Sequence, residues 1–256
     1  GAVSFENVLE LIDWLPKGGF NTYFTQFLTP YEFFKTWYAH DNNPLLAGTE
    51  PVPTVEEVDR FTYGPLQEEL RKRDLIFQAA GHGWTTAAIG IDGLGWDEAE
   101  EPGERYRGWL AQIDGRRALF NARPLNTNLC YSNPEVREAL TEEVMAFLRR
   151  HPQVDTIHFW LADDSNNTCE CEACQKAVPS AFYVDMLNLL DEKLTRAGLK
   201  TRVVFLAYLD LLWPPEGRTL KNPDRFVFMF APITRSYSAP LPTDALAKSL
   251  PPFVRN

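Results

Sequence analysis

Three of the chain's four cysteines lie within six residues, and this is the most specific chemical pattern in the sequence. They are Cys169, Cys171 and Cys174, and the fourth cysteine is Cys130. Thiolates are preferred zinc ligands, and four of them complete a tetrahedral shell. The spacing therefore predicts a structural zinc that ties the loop of the cluster to the loop of Cys130. Free or partly oxidised thiols and two disulfides are the alternatives, although Cys169 and Cys171 are too close together to pair easily.

Two adjacent carboxylates, Asp163 and Asp164, follow a predicted strand over residues 154–161. Neighbouring side chains of a regular strand point to opposite faces, so both can reach one ligand only where the strand gives way to a loop. Such a pair can supply a general acid and an orienting group. The alternative is a solvated turn or helix cap that includes Ser165.

Further side chains suited to a polar ligand lie at or just beyond the ends of predicted strands. Aromatic faces stack on the apolar face of a sugar ring, whereas His, Asp and Arg bind hydroxyls or a carboxylate. The candidates are His82, Trp84, Trp96, Trp160, Tyr208, Asp210, Trp213 and Arg235. For each single aromatic residue the alternative is core packing, and we expect His158, within a strand, in the interior. The convergence of these residues on one end predicts a ligand site.

The elements that must position these residues alternate between helix and strand, which is typical of a parallel sheet covered by helices. We predict strands over 20–28, 75–80, 154–161, 201–208 and 225–231, and helices over 4–16, 65–73, 134–150 and 180–198. The connections after three strands are long, at about 29–64, 81–132 and 162–179. Long loops at the carboxyl ends of strands are typical of a barrel enzyme, and an open doubly wound sheet is the alternative.

Composition and charge narrow the class of ligand. The chain has 256 residues, is 45% hydrophobic and carries a net charge of −10, from 25 basic and 35 acidic residues. It is too apolar for a disordered chain, it lacks an apolar run long enough for a membrane helix, and it lacks the basic stripe that nucleic acid requires. The short basic clusters at 71–73, 116–117 and 149–150 are predicted to be solvated. A neutral, polar ligand fits best.

Part of the chain resembles family 20 glycoside hydrolases, the β-hexosaminidases. The stretch from Asn126 to Asp164 combines an Asn-Pro-Glu-Val-Arg helix start with a strand that runs Ile-His-Phe-Trp-Leu-Ala-Asp-Asp, and Ala-Gly-His ends at His82. The resemblance implies that Asp163 orients the substrate's acetamido group and that Asp164 is the general acid. Two differences stand out. The family's strand ends His-x-Gly-Gly-Asp-Glu, so bulkier residues with one insertion replace the glycines here, and Asp164 is one methylene shorter than Glu.

A closer resemblance is to a bacterial family, domain-of-unknown-function family 4838, within the same barrel superfamily. Residues 130–136, the cysteine motif, and residues 208–215 with 231–235 carry it. It implies a glycoside hydrolase-like TIM (β/α)8-type barrel. By comparison with the superfamily we expect residues 1–256 to form a single, partial domain with about strands two to six of the barrel, next to further domains of a longer parent chain.

We therefore expect a glycoside hydrolase that acts on an oligosaccharide or glycoside substrate, with no nucleic acid or membrane partner. Asp210 and Asp92 are candidates for a second carboxylate. The alternatives are a non-catalytic carbohydrate-binding barrel and a zinc-stabilised interaction module. The cellular location stays open: the clustered thiols slightly favour the cytoplasm, and secretion is the alternative.

Overall fold

A sheet of five parallel strands supports the candidate residues. The computed structural model describes residues 5–39, 43–45, 48, 52–233 and 237–238. The strands in these ranges are β1 (Thr22–Thr25), β2 (Ile76–Gly81), β3 (Gln112–Ile113), β4 (Arg116–Arg117), β5 (Thr156–Phe159), β6 (Arg202–Ala207) and β7 (Phe226–Phe230). The parallel sheet has the order β1-β2-β5-β6-β7, and β3 and β4 form a separate antiparallel hairpin. All five predicted strands and the α/β class are confirmed.

Seven α-helices lie in the described part of the chain. They are α1 (Phe5–Trp14), α2 (Tyr31–Ala39), α3 (Val55–Phe61), α4 (Gln67–Lys72), α5 (Trp84–Ala87), α6 (Pro134–Arg150) and α7 (Pro179–Arg196). None of the helices in these ranges combines the length and apolarity needed to cross a bilayer.

The connection after β1 contains more helix than the sequence predicted. Thr54 begins α3 with a capping box: its side chain accepts a hydrogen bond from the Glu57 amide at 3.2 Å, and its amide donates to the Glu57 carboxylate at 2.8 Å. A π-helical stretch, Thr62–Leu66, then joins α3 to α4. The predicted helix start at Pro65 is wrong, because this proline lies inside the π-helical stretch, where its missing N–H interrupts the α-helical pattern.

Helices α6 and α7 pack against each other. Asn133 caps α6, as predicted, by accepting from the Glu135 amide at 2.9 Å. The apolar residues that recur at helical spacing in both helices, and that predict a buried face for each, are buried: Val136, Leu140, Val144, Phe147, Leu148, Tyr183, Met186, Leu187, Leu190 and Leu194. The sequence favours Ser180 as the N-cap of α7, and this prediction is wrong: Val178 holds the cap position, and Ser180 lies in the first turn and donates to the Trp213 carbonyl.

The two faces of the sheet differ in how well they are covered. On the face towards the helices, Phe77, Ile157 and Phe159 are almost fully buried. On the other face, the Phe24 ring stacks on His158 with centroids 4.2 Å apart yet stays 37% exposed. His158 is in the interior, as expected: its Nε2 lies 2.6 Å from Gln78 Oε1, and burial lowers its pKa to about 4. The carboxyl ends of all five strands lie at one edge, where the candidate residues follow.

Candidate functional site

Asp163 lies just beyond β5 and is held by donors from two other segments. The Tyr208 hydroxyl donates to Oδ1 at 2.7 Å, and the Trp96 indole N–H donates to Oδ2 at 3.1 Å. Burial and the contact with Asp163 raise the pKa of Tyr208 above its usual range, so its hydroxyl stays a donor. The loop after β2, the loop after β5 and the end of β6 therefore fix this carboxylate together. The Trp96 ring remains 38% exposed beside it.

Asp164 adopts a left-handed backbone conformation, with φ 71°. Its Oδ1 accepts from the Ser165 amide at 2.8 Å and its Oδ2 accepts from Asn126 Nδ2 at 3.2 Å. Asp tolerates this conformation because its short side chain can bond to nearby backbone. Strand β5 ends at Phe159, so Asp163 and Asp164 lie in the loop that follows it. Their side chains are therefore not forced to opposite faces by the alternation of a strand, which is the condition for both to reach one ligand.

Asn167 secures the loop that carries the two carboxylates. Its Nδ2 donates to the carbonyls of Asp163 at 2.6 Å and Asn126 at 2.7 Å. Its Oδ1 accepts from Asn128 Nδ2 at 2.8 Å, and Asn128 in turn accepts from the Tyr131 hydroxyl at 2.6 Å. Asn167 is 1% exposed, so this amide is a buried link between two chain segments. Two of these asparagines, Asn126 and Asn128, lie in a Leu-Asn-Thr-Asn stretch, and no local pattern in the sequence indicates that they bond to Asn167.

Asp210 reaches the same loop. Its Oδ2 accepts from the Asn166 amide at 2.8 Å, and it lines a small cavity of about 20 Å³ with Asp164 and Tyr208. Asp210, one of the two candidates for a second carboxylate, therefore lies beside the loop that carries Asp163 and Asp164, which we call the acidic loop.

His82 and Trp160 pack against each other next to the segment that leads from β5 to Asp163 and Asp164. His82 is 6% exposed, and its Nδ1 donates to the Leu161 carbonyl at 3.0 Å. Burial lowers the pKa of His82, which favours the neutral ring. The Trp160 ring lies 5.2 Å from His82 by centroids and covers Gly81, where an added Cβ would come within 3.0 Å of the indole. The structure thus shows both residues in packing contacts beside the site.

Three other predicted ligand-binding residues have different outcomes. Trp84 is fully buried, and its indole N–H donates to the His158 carbonyl at 2.8 Å. It packs in the core, so no ligand reaches it, and the expectation of a role in binding is corrected. Arg235 lies outside the described residues. Trp213 follows β6 and is 52% exposed.

The four cysteines lie together in one cluster, as the spacing predicted, and none of the four forms a disulfide. Their Sγ atoms all lie within 4.8 Å of one another, and Cys130 Sγ is 3.7 Å from Cys171 Sγ and 3.8 Å from Cys174 Sγ. A tetrahedron with metal–sulfur bonds of about 2.3 Å has edges of about 3.8 Å. The cluster therefore has the size and donor set to hold a tetrahedral metal ion. Hydrogen bonds from Cys169 and Cys174 lower the pKa of Cys130, which prepares a thiolate there.

The β3–β4 hairpin covers the cluster. The Gln112 amide donates to Cys169 Sγ at 3.3 Å, and the Gln112 carbonyl accepts from the Glu170 amide at 2.7 Å. Arg117 also points at the sulfurs, which corrects the prediction that its basic cluster is solvated. The neighbouring Arg116 is exposed, as predicted. Nothing local in the sequence separates the two arginines, because the contact depends on where the hairpin packs.

Comparisons with known proteins give one finding about family and none about activity. The profile of a family described as a domain of unknown function (DUF4838) matches residues 96–250. This range is more than half of the chain and includes the acidic loop and all four cysteines. None of the curated proteins matches the chain.

Proposed function

This chain belongs to the DUF4838 family, and we propose that it is a carbohydrate-active domain of the glycoside hydrolase type. The observation that carries the proposal is the Asp163 carboxylate, held between Tyr208 and Trp96 beside a second carboxylate. A fixed acidic pair with an exposed indole face suits a sugar ring, which presents hydroxyls on its edges and C–H groups on its faces.

The strand order supports a barrel as the framework. In a doubly wound sheet the order reverses at a switch point, whereas successive strands of a (β/α)8 barrel are always neighbours. The five parallel strands described here follow chain order without a reversal. We infer that they form an arc of a TIM-type barrel, and the acidic loop then lies at the carboxyl end, where barrel enzymes place their sites.

The roles of the two carboxylates follow from their contacts and from the resemblance to family 20 glycoside hydrolases. Asp163, fixed at both oxygens, orients the substrate or faces the positive charge that develops on the sugar ring. Asp164 lies next to it and acts as the general acid towards the leaving oxygen. Asn126 is its more distant donor, at 3.2 Å, and is the contact that a ligand would displace most easily.

Asp210 is the favoured second acid–base group. Hydrolysis with inversion needs a carboxylate that activates water, about 6.5–9.5 Å from the acid, and retention needs one at about 5–5.5 Å. The cavity of about 20 Å³ between Asp164, Asp210 and Tyr208 has room for a single water molecule. This favours Asp210 as the group that positions water.

One observation favours a second candidate, carbohydrate binding without hydrolysis. All four carboxylate oxygens of Asp163 and Asp164 already accept a hydrogen bond from the protein. A carboxylate whose two oxygens already accept hydrogen bonds still has free lone pairs. It can therefore accept hydrogen bonds from sugar hydroxyls without giving a proton to the ligand. The two candidates share a ligand and differ in whether a bond is cleaved.

We propose that the cysteine cluster holds a structural zinc ion. Four sulfur ligands would close its coordination shell, so the ion would supply rigidity and leave no open position for substrate. Cys130 would join the segment before α6 to the loop after β5, and the same loop carries Asp163. If no glycan binds, a zinc-stabilised interaction module is the remaining candidate function.

The experiment compares hydrolysis and binding on one panel of aryl glycosides and oligosaccharides. The variants are Asp164→Asn and the control Asp114→Asn, an exposed aspartate that is also left-handed, with φ 50°. We expect turnover by the wild type and the control, and a loss of about 10²-fold or more for Asp164→Asn. Glycan binding without cleavage by any protein would select the binding domain, and absence of both would refute the proposal.

A further inference from the structure

Arg117 bridges two sulfurs of the cysteine cluster from the β4 strand. Its Nη2 lies 3.9 Å from Cys130 Sγ and its Nη1 lies 4.0 Å from Cys169 Sγ. Nη1 also donates to the Leu110 carbonyl, which fixes the planar guanidinium over the two sulfurs. These two cysteines come from different segments, 39 positions apart in the sequence.

The charge of the cluster explains what this arginine could do. Four thiolates around a divalent cation leave two negative charges in a half-buried place. The nearby acidic side chains cannot offset these charges, because they are themselves negative. The Glu170 carboxylate accepts from the Asp114 amide, and Glu172 pairs with Lys176 on the surface. Among the described residues, Arg117 is the cation in contact with the sulfurs.

We propose that Arg117 is a positioning residue of the metal centre, whose guanidinium bridges Cys130 and Cys169 and so retains the ion. The inference rests on the zinc site proposed above. Outer-shell partners of this kind orient the ligands and typically change metal affinity by about 10–100-fold. A lysine does not reproduce the role, because a single ammonium lacks the planar fork that spans two acceptors.

The test measures zinc affinity on the full chain by competition with a chromophoric chelator, with Zn²⁺ as the only added ligand. Arg117→Gln removes the charge, Arg117→Lys keeps it, and Arg116→Gln is the matched control on the same strand. We expect Arg117→Gln to lose about 10–100-fold in affinity, Arg117→Lys to lose less, and Arg116→Gln to match the wild type.

Cobalt substitution separates a role at the sulfurs from a merely structural one. Loss of the guanidinium makes the thiolates more electron-rich, so the sulfur-to-cobalt charge-transfer band should move to longer wavelength in both Arg117 variants. Wild-type affinity and an unshifted band in Arg117→Gln would overturn the inference. If that variant does not fold, the same result in Arg117→Lys would overturn it. A wild type that binds no zinc would instead refute the metal centre itself.

Discussion

Replacement of Asn167 by Ala tests how the acidic loop is held in place. The change removes three hydrogen bonds, at 2.6, 2.7 and 2.8 Å, from a side chain that is 1% exposed. A buried hydrogen bond contributes about 1–1.5 kcal/mol net, and partners left unsatisfied add to the loss. The free energy of unfolding should therefore fall by about 3–5 kcal/mol, a large share of the ~5–15 kcal/mol of an average domain.

The assay is urea unfolding followed by tryptophan fluorescence. We expect Asn167→Ala to lower the midpoint without changing the slope, since the surface exposed on unfolding stays the same. Asn167→Asp should lose at least as much, because it places a carboxylate against two carbonyl oxygens. Asn166→Gly is the control: this neighbour is exposed, and its φ of 57° suits glycine. A loss below about 1 kcal/mol in Asn167→Ala would refute the assigned network.

Three other predictions follow from single contacts. Tyr208→Phe removes the hydroxyl that donates to Asp163 and should weaken glycan binding by about 1.5–3 kcal/mol, measured by titration calorimetry; unchanged affinity would contradict the role of this bond. His158 should make the free energy of unfolding depend on pH, because its pKa of about 4 in the folded state lies below the unfolded value of about 6.5. The stability that this histidine contributes is complete above pH ~6.5 and is lost as the pH falls towards ~4, by roughly 3 kcal/mol in total. Urea midpoints across this range test it, and a slope that persists unchanged in His158→Gln would assign the effect to other groups. Thr54→Ala should lower the free energy of unfolding by about 1 kcal/mol through loss of the capping box, visible in the melting temperature, and an unchanged melting temperature would argue against the cap.

The parts of the fold that the sequence predicted are those set by local pattern. The strand Arg202–Ala207 contains a short apolar run over 203–207, and the apolar residues of α6 follow the helical period after a capping Asn133. The cysteine cluster was predictable for a related reason, because three of its thiols lie within six residues and the chain has a single further cysteine.

The parts that escaped prediction depend on contacts between distant segments. Trp84 and Trp96 both follow β2 in the chain, yet Trp84 is fully buried and Trp96 donates to Asp163. The difference arises because α5 turns Trp84 back onto the core. Arg116 and Arg117 likewise separate only when the hairpin packs against the cysteines. Differences of this kind in the direction that a side chain faces are set by tertiary packing, which the periodicity of a single sequence does not contain.

The left-handed backbone at Asp164 restricts which residues the position can accept. A left-handed conformation costs an ordinary L-residue about 1–2 kcal/mol, and Asp or Asn reduces this through side-chain bonds to the adjacent backbone. A glutamate side chain is one methylene too long to bond to the Ser165 amide. A glutamate at this position would therefore be destabilised by most of the free energy that the left-handed conformation costs. The left-handed turn at position 164 therefore favours the short side chain of aspartate over that of glutamate. A protein engineer who wants the longer reach of a glutamate here has to rebuild the turn over Asp164 and Ser165 as well.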